Sequence, residues 1–154
     1  AMRRCIPVVV FALLSLPAVS FMPAGGSGES IPITWKTLTD VTFRERLNLQ
    51  ERNFMKIPTF GPTVRELEGK QVQIKGYMIP VSLPDDIYVI SEKPMSSCFF
   101  CGSAGPETLM ELEFKSKPRR FKTDEIRTLK GILQLNADRT DQLCYRMTSV
   151  EVVE

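Results

Sequence analysis

Gly69-Lys70-Gln71-Val72-Gln73-Ile74-Lys75-Gly76-Tyr77 carries the decisive pattern of this 154-residue chain. Val72 and Ile74 alternate with polar residues, the two-residue period of a strand with one face on a core. Gly76 interrupts the run where a barrel strand needs a bulge or a sharp coil. We assign the first strand to Gln71–Ile79. Pro84-Asp85-Asp86 supplies turn chemistry before a second strand, Ile87–Ile90. Thr108–Phe114 reads as a third, with Leu109, Glu111 and Glu113 opposed to Met110, Leu112 and Phe114. Ile126–Leu135 is a fourth, again broken by a glycine, Gly131. Asn136-Ala137-Asp138 turns the chain into a fifth, Gln142–Val153. Successive strands without crossover helices argue against a parallel sheet. Interior glycines in the first and fourth permit the strong coiling that closes a small antiparallel barrel. The expected fold is therefore mainly β, a five-stranded antiparallel barrel over residues 67–154, with a β-sandwich as the alternative.

The same strand, with Lys130–Leu135 and a closing strand through Tyr145, resembles an oligonucleotide/oligosaccharide-binding (OB) fold. The link from Phe114 to Lys122 is too short and basic for the helix that most such domains carry there. Upstream, residues 31–66 are expected to form an N-terminal extension packing on the barrel. Within it, Ile33, Trp35 and Leu38 suit an extended segment that lays its tryptophan on the domain. Asp40–Phe54 mixes charges with Phe43, Leu47 and Phe54 and predicts a short helix with Asp40 as N-cap.

Residues 21–30 are Gly- and Ser-rich and read as a flexible tether. Residues 1–20 read as a cleaved signal peptide: Arg3 and Arg4, then the apolar run Ile6–Leu16, then the small residues Ala18 and Ser20. The run is roughly half the ~20 apolar residues that a membrane span needs. Cys5 precedes it, which argues against lipid attachment. A periplasmic or secreted product without stable membrane insertion follows. Cleavage removes two arginines from 20 Lys+Arg against 18 Asp+Glu, leaving 18 of each and no net charge. That balance argues against nucleic acid as a partner, which demands a sustained cationic surface. Lys115, Lys117, Arg119, Arg120 and Lys122 cluster locally and read as a solvated turn.

Ser96-Ser97-Cys98-Phe99-Phe100-Cys101-Gly102-Ser103-Ala104-Gly105-Pro106-Glu107 is the segment that can carry chemistry. Gly102, Gly105 and Pro106 shape a loop that holds two sulfurs on one side. Such a pair can form a permanent disulfide, offer two thiolates to a soft metal such as zinc or copper, or cycle as a redox dithiol. In the last case Cys98 is the expected nucleophile and Cys101 the resolving thiol. Two sulfurs are half a tetrahedral zinc shell. The chain has no histidine, so Cys144, Glu107, another carboxylate or a partner must complete it. If Leu143, Tyr145 and Met147 face the core, Cys144 points to the opposite side of its strand. The lack of histidine also excludes Ser-His-Asp and Cys-His catalysis. No catalytic residue is assigned, and a non-enzymatic binding or accessory role is favoured over a thiol–disulfide enzyme.

Ile33-x-Trp35, Pro58-x-Phe60 and the run Leu67–Val81, with its Gly76-Tyr77-Met78-Ile79-Pro80 segment, followed by Cys98-Phe99-Phe100-Cys101-Gly102, resemble an exported bacterial domain-of-unknown-function family. The likeness runs from about Ile33 to the C-terminus. It implies no established activity. It does imply company with transporters or with metal handling, and hence an exported protein or transporter component as partner.

Overall fold

The computed structural model describes residues 29–48, 53–138 and 142–154. The expected signal peptide and all but the end of the expected tether lie outside the described residues. Among the described residues eight strands form: β1 (Ile31–Pro32), β2 (Val41–Asn48), β3 (Asn53–Phe60), β4 (Gln71–Ser82), β5 (Ile87–Ser91), β6 (Leu109–Phe114), β7 (Glu125–Leu135) and β8 (Tyr145–Val152). Two single-turn helices, α1 (Trp35–Leu38) and α2 (Pro62–Arg65), flank the β2–β3 hairpin.

The expected barrel is present. Its five strands are β4 to β8, paired in the order β4-β5-β6-β8-β7, and β7 pairs back on β4 to close the ring. Four seams are antiparallel, and the β6–β8 seam is parallel. This is the connectivity of an OB-like barrel, not a sandwich. As expected, no helix joins β6 to β7. Three of the five basic residues of that link form ion pairs: Lys115 with Glu151 at 2.8 Å, Lys117 with Asp86 at 3.0 Å, and Arg119 with Glu125. Its Phe121 turns inward and stands edge-on to Tyr88, 5.4 Å between ring centres.

Alternation in the strands generates two apolar clusters. Val72, Ile74 and Met78 of β4, Tyr88 and Ile90 of β5, Met110 and Leu112 of β6, and Tyr145 and Met147 of β8 fill the barrel. Intervening residues of the same strands, Ile79, Val89 and Leu109, point outward and form a second cluster with Cys98. The cysteine loop therefore lies on the outer face of β4, β5 and β6.

The two interior glycines act differently. At Gly131 the β7–β8 register shifts, as a bulge should, and a Cβ would come within 2.8 Å of the Thr148 carbonyl. The β4–β5 shift lies instead between Pro80 and Ser82. Gly76 is required by close approach: a Cβ there would meet the Ser91 carbonyl at 2.6 Å and the Trp35 ring at 3.1 Å. Trp35 crosses the strand at this gap and donates its Nε1–H to the Lys75 carbonyl at 2.8 Å.

The helix predicted over Asp40–Phe54 does not form. Residues 41–48 and 53–60 make the β2–β3 hairpin, in register from Val41–Phe60 to Asn48–Asn53. Val41, Phe43, Leu47, Phe54 and Phe60 share one face at the two-residue period, which outweighs the helical reading. Asp40 does cap a helix, but the capped N–H lies 23 residues further on. Its carboxylate accepts the Thr63 backbone N–H at 2.9 Å, at the start of α2. Leu38 is fully buried, and its carbonyl accepts the Tyr145 hydroxyl at 2.6 Å.

Candidate functional site

The cysteine loop is built from three single 3₁₀ turns, Met95–Ser97, Phe99–Cys101 and Pro106–Thr108. Cys98 sits between the first two, fully buried, while Cys101 is exposed. Both thiols donate to one acceptor, the Met95 carbonyl, at 3.2 Å from Cys98 and 2.9 Å from Cys101. The turn is closed by the Cys98 carbonyl, which accepts the Cys101 N–H at 3.1 Å and the Ser103 N–H at 3.4 Å. Gly102 takes a φ of +74°, the left-handed conformation that glycine adopts without steric cost. Gly105 gives way to the Glu107 carboxylate, which lies 2.2 Å from where a Cβ would stand. Pro106 begins the last turn, at the position where a missing N–H costs nothing.

Cys144 and Glu107 form a separate group. The Cys144 thiol is buried and donates to the Pro106 carbonyl at 3.5 Å. Burial, then the charge of Glu107, push its pKa up to about 12. It belongs to the main apolar cluster together with Tyr145 and Met147, against the expectation that it would lie on the side opposite them. Leu143, expected inside, packs instead on the outer cluster around Cys98. The alternation fails here because β8 begins only at Tyr145. Tyr145 is shifted in the same sense, well above the ordinary phenol range, by burial first and then by Cys144, Glu107 and Asp40. Among the described residues, no three His, Cys, Asp or Glu side chains are grouped so as to hold a metal ion. Cys98 and Cys101 are brought together; Cys144 and Glu107 are brought together elsewhere. The three cysteines of the described residues are free thiols.

Sequence reasoning missed a cleft of about 590 Å³ beside the loop. One wall is the consecutive run Phe54–Pro58 of β3. The other is Ile87 and Val89 of β5, Glu111 of β6 and Leu143 of the β7–β8 connection, with Phe100 of the cysteine loop at its margin. Phe54, Val81, Ile87 and Phe100 are exposed around it. The cleft lies against the second and third barrel strands, β5 and β6, and the connection between the fourth and fifth. The lining residues are far apart in sequence. The available signal was Phe54, an aromatic in a charged segment.

No protein-family model matches the chain, and no curated protein sequence matches it. Among solved structures, a DUF3299 family protein from Pseudomonas aeruginosa PAO1 is similar, with a TM-score of 0.52 and 14% identity. The likeness covers 82% of this chain and 98% of that one. At that identity it speaks for the fold: a family of unknown function has a barrel of this kind.

Proposed function

We propose that the protein is an exported, non-enzymatic binding module whose Cys98–Cys101 loop is a two-thiol clip for a soft metal ion, zinc or cuprous copper. The observation that carries this reading is the convergence of both sulfurs on the Met95 carbonyl, at 3.2 and 2.9 Å. Two sulfur donors held on one acceptor are already oriented toward a common point. Thiolates are the ligands that soft cations select. Cys98 is anchored in an apolar cluster and Cys101 is open to solvent, so an ion enters from the Cys101 side. With Glu107 and Cys144 grouped elsewhere, water or a partner's donors complete a zinc shell.

The test is metal stoichiometry by mass spectrometry with thiol counting on protein exported to a bacterial periplasm. About one zinc or copper per chain, lost in Cys98→Ser and in Cys101→Ser, is expected. Two inert, oxidised sulfurs and no metal would leave a structural disulfide. A metal-free pair with a potential near those of periplasmic oxidoreductases would favour a redox dithiol; the exposure of Cys101 would then make it, rather than Cys98, the first sulfur to react.

A second reading, docking of an exported protein or transporter component, is favoured by the apolar side chains exposed around the cleft. A photo-crosslinking residue at position 100 should then give a discrete adduct in the exporting cell. Absence of any adduct would count against it.

A further inference from the structure

We infer that closing the Cys98–Cys101 pair repositions Phe100 and so reshapes the neighbouring cleft, making the thiol pair and the cleft one linked device. The zinc arm of this inference rests on the clip reading above; the disulfide arm stands without it.

The loop has one fixed sulfur and one movable one. Cys98 is fully buried and packs with Ile79, Val89 and Leu109. Cys101 is on the surface. Closing the pair therefore displaces residues 99–101, not the buried side. Phe100 is the immediate neighbour of the moving cysteine, and its half-exposed side chain lines the cleft. The displacement cannot dissipate along a long loop. Hydrogen bonds from the Cys101 and Ser103 N–H groups to the Cys98 carbonyl close the turn on itself, and Gly102 supplies the bend between them.

Closure also removes what holds the open form. Each thiol proton now satisfies the Met95 carbonyl. On zinc binding both protons leave to water and two S–Zn bonds replace the S–H bonds. With glutathione disulfide the Cys101 thiolate attacks one glutathione sulfur and expels one glutathione thiol. Cys98 then attacks the mixed disulfide at Cys101 and expels the second. The protein dithiol loses two electrons and two protons, and glutathione disulfide is reduced to two thiols. By either route the carbonyl loses both donors and the turn is released from its present geometry.

The experiment is methyl NMR on the full chain labelled at Ile, Leu and Val. The reporters are Val81 and Ile87, which line the cleft but are not part of the cluster around Cys98. Zinc is added to one sample of reduced protein and glutathione disulfide to another. Both reporters should shift by more than a linewidth on closure, and most of that shift should vanish in Phe100→Leu. Closure without a shift, or an undiminished shift in Phe100→Leu, overturns the inference. A protein that ignores zinc yet shifts on disulfide formation sinks the clip reading alone. A pair that neither binds zinc nor oxidises overturns both.

Discussion

Cys144 and Tyr145 are adjacent, buried and titrate in the same sense. Cys144 moves from an ordinary thiol value of 9.0 to about 12, and Tyr145 moves upward as well. A weak acid whose folded pKa exceeds its unfolded one stabilises the fold below the unfolded value. That contribution fades as pH rises through the folded value. The urea midpoint should therefore fall between about pH 9 and pH 12, and Cys144→Ala should flatten the fall. At pH 8, iodoacetamide should label Cys101 first, with Cys144 reacting only after unfolding; mass mapping of the adducts decides this. Tyr145→Phe removes the hydroxyl donated to Leu38 and leaves a buried carbonyl short of a partner. A loss of about 1–2 kcal/mol in urea melts is expected.

Individual elements show how local chemistry is redirected by neighbours. In β4, Gly76 exists for the Ser91 carbonyl and the Trp35 ring that press on it. Gly76→Ala should cost about 1–3 kcal/mol, because a backbone oxygen in the next strand cannot yield as a side chain can. If unfolding is unchanged, the close approach is not needed. The β2–β3 hairpin demonstrates the competition between periods. Its residues read as a helix when charge and capping are weighed, yet the cap from Asp40 goes to Thr63 of α2. The bond is made across the hairpin rather than along the chain, so sequence spacing could not reveal it.

At the scale of the molecule, the segment before the barrel is part of its core. Ile33 and Leu38 belong to the main cluster, and Trp35 packs against it. Leu38→Ala should therefore cost about 2–5 kcal/mol although it lies outside the barrel strands. A chain beginning at Asp40 should lose cooperative thermal unfolding; a sharp transition in that truncation would show that the barrel folds alone. The closed ring also accounts for the second cluster. Outward residues of β4, β5 and β6 would be wet on an isolated barrel, and the cysteine loop covers them.

By itself, the sequence determined the number of barrel strands, the absence of a helix between β6 and β7, and the alternation that sets Met110, Leu112 and Phe114 on one face of β6. Those features follow from a two-residue period and from chain length, both local quantities. It also singled out Cys98 and Cys101, because two sulfurs three positions apart meet when the chain turns, as the glycines at 102 and 105 invite. Only the tertiary structure decided the rest. The parallel β6–β8 seam closes the barrel through strands that are not consecutive. The separation of Cys144 and Glu107 from the thiol pair depends on where β8 starts. The cleft is assembled from β3, β5, β6 and two connections, each with an unremarkable local pattern. Such features arise where distant segments meet, and their energy comes from packing between elements rather than from preferences within them.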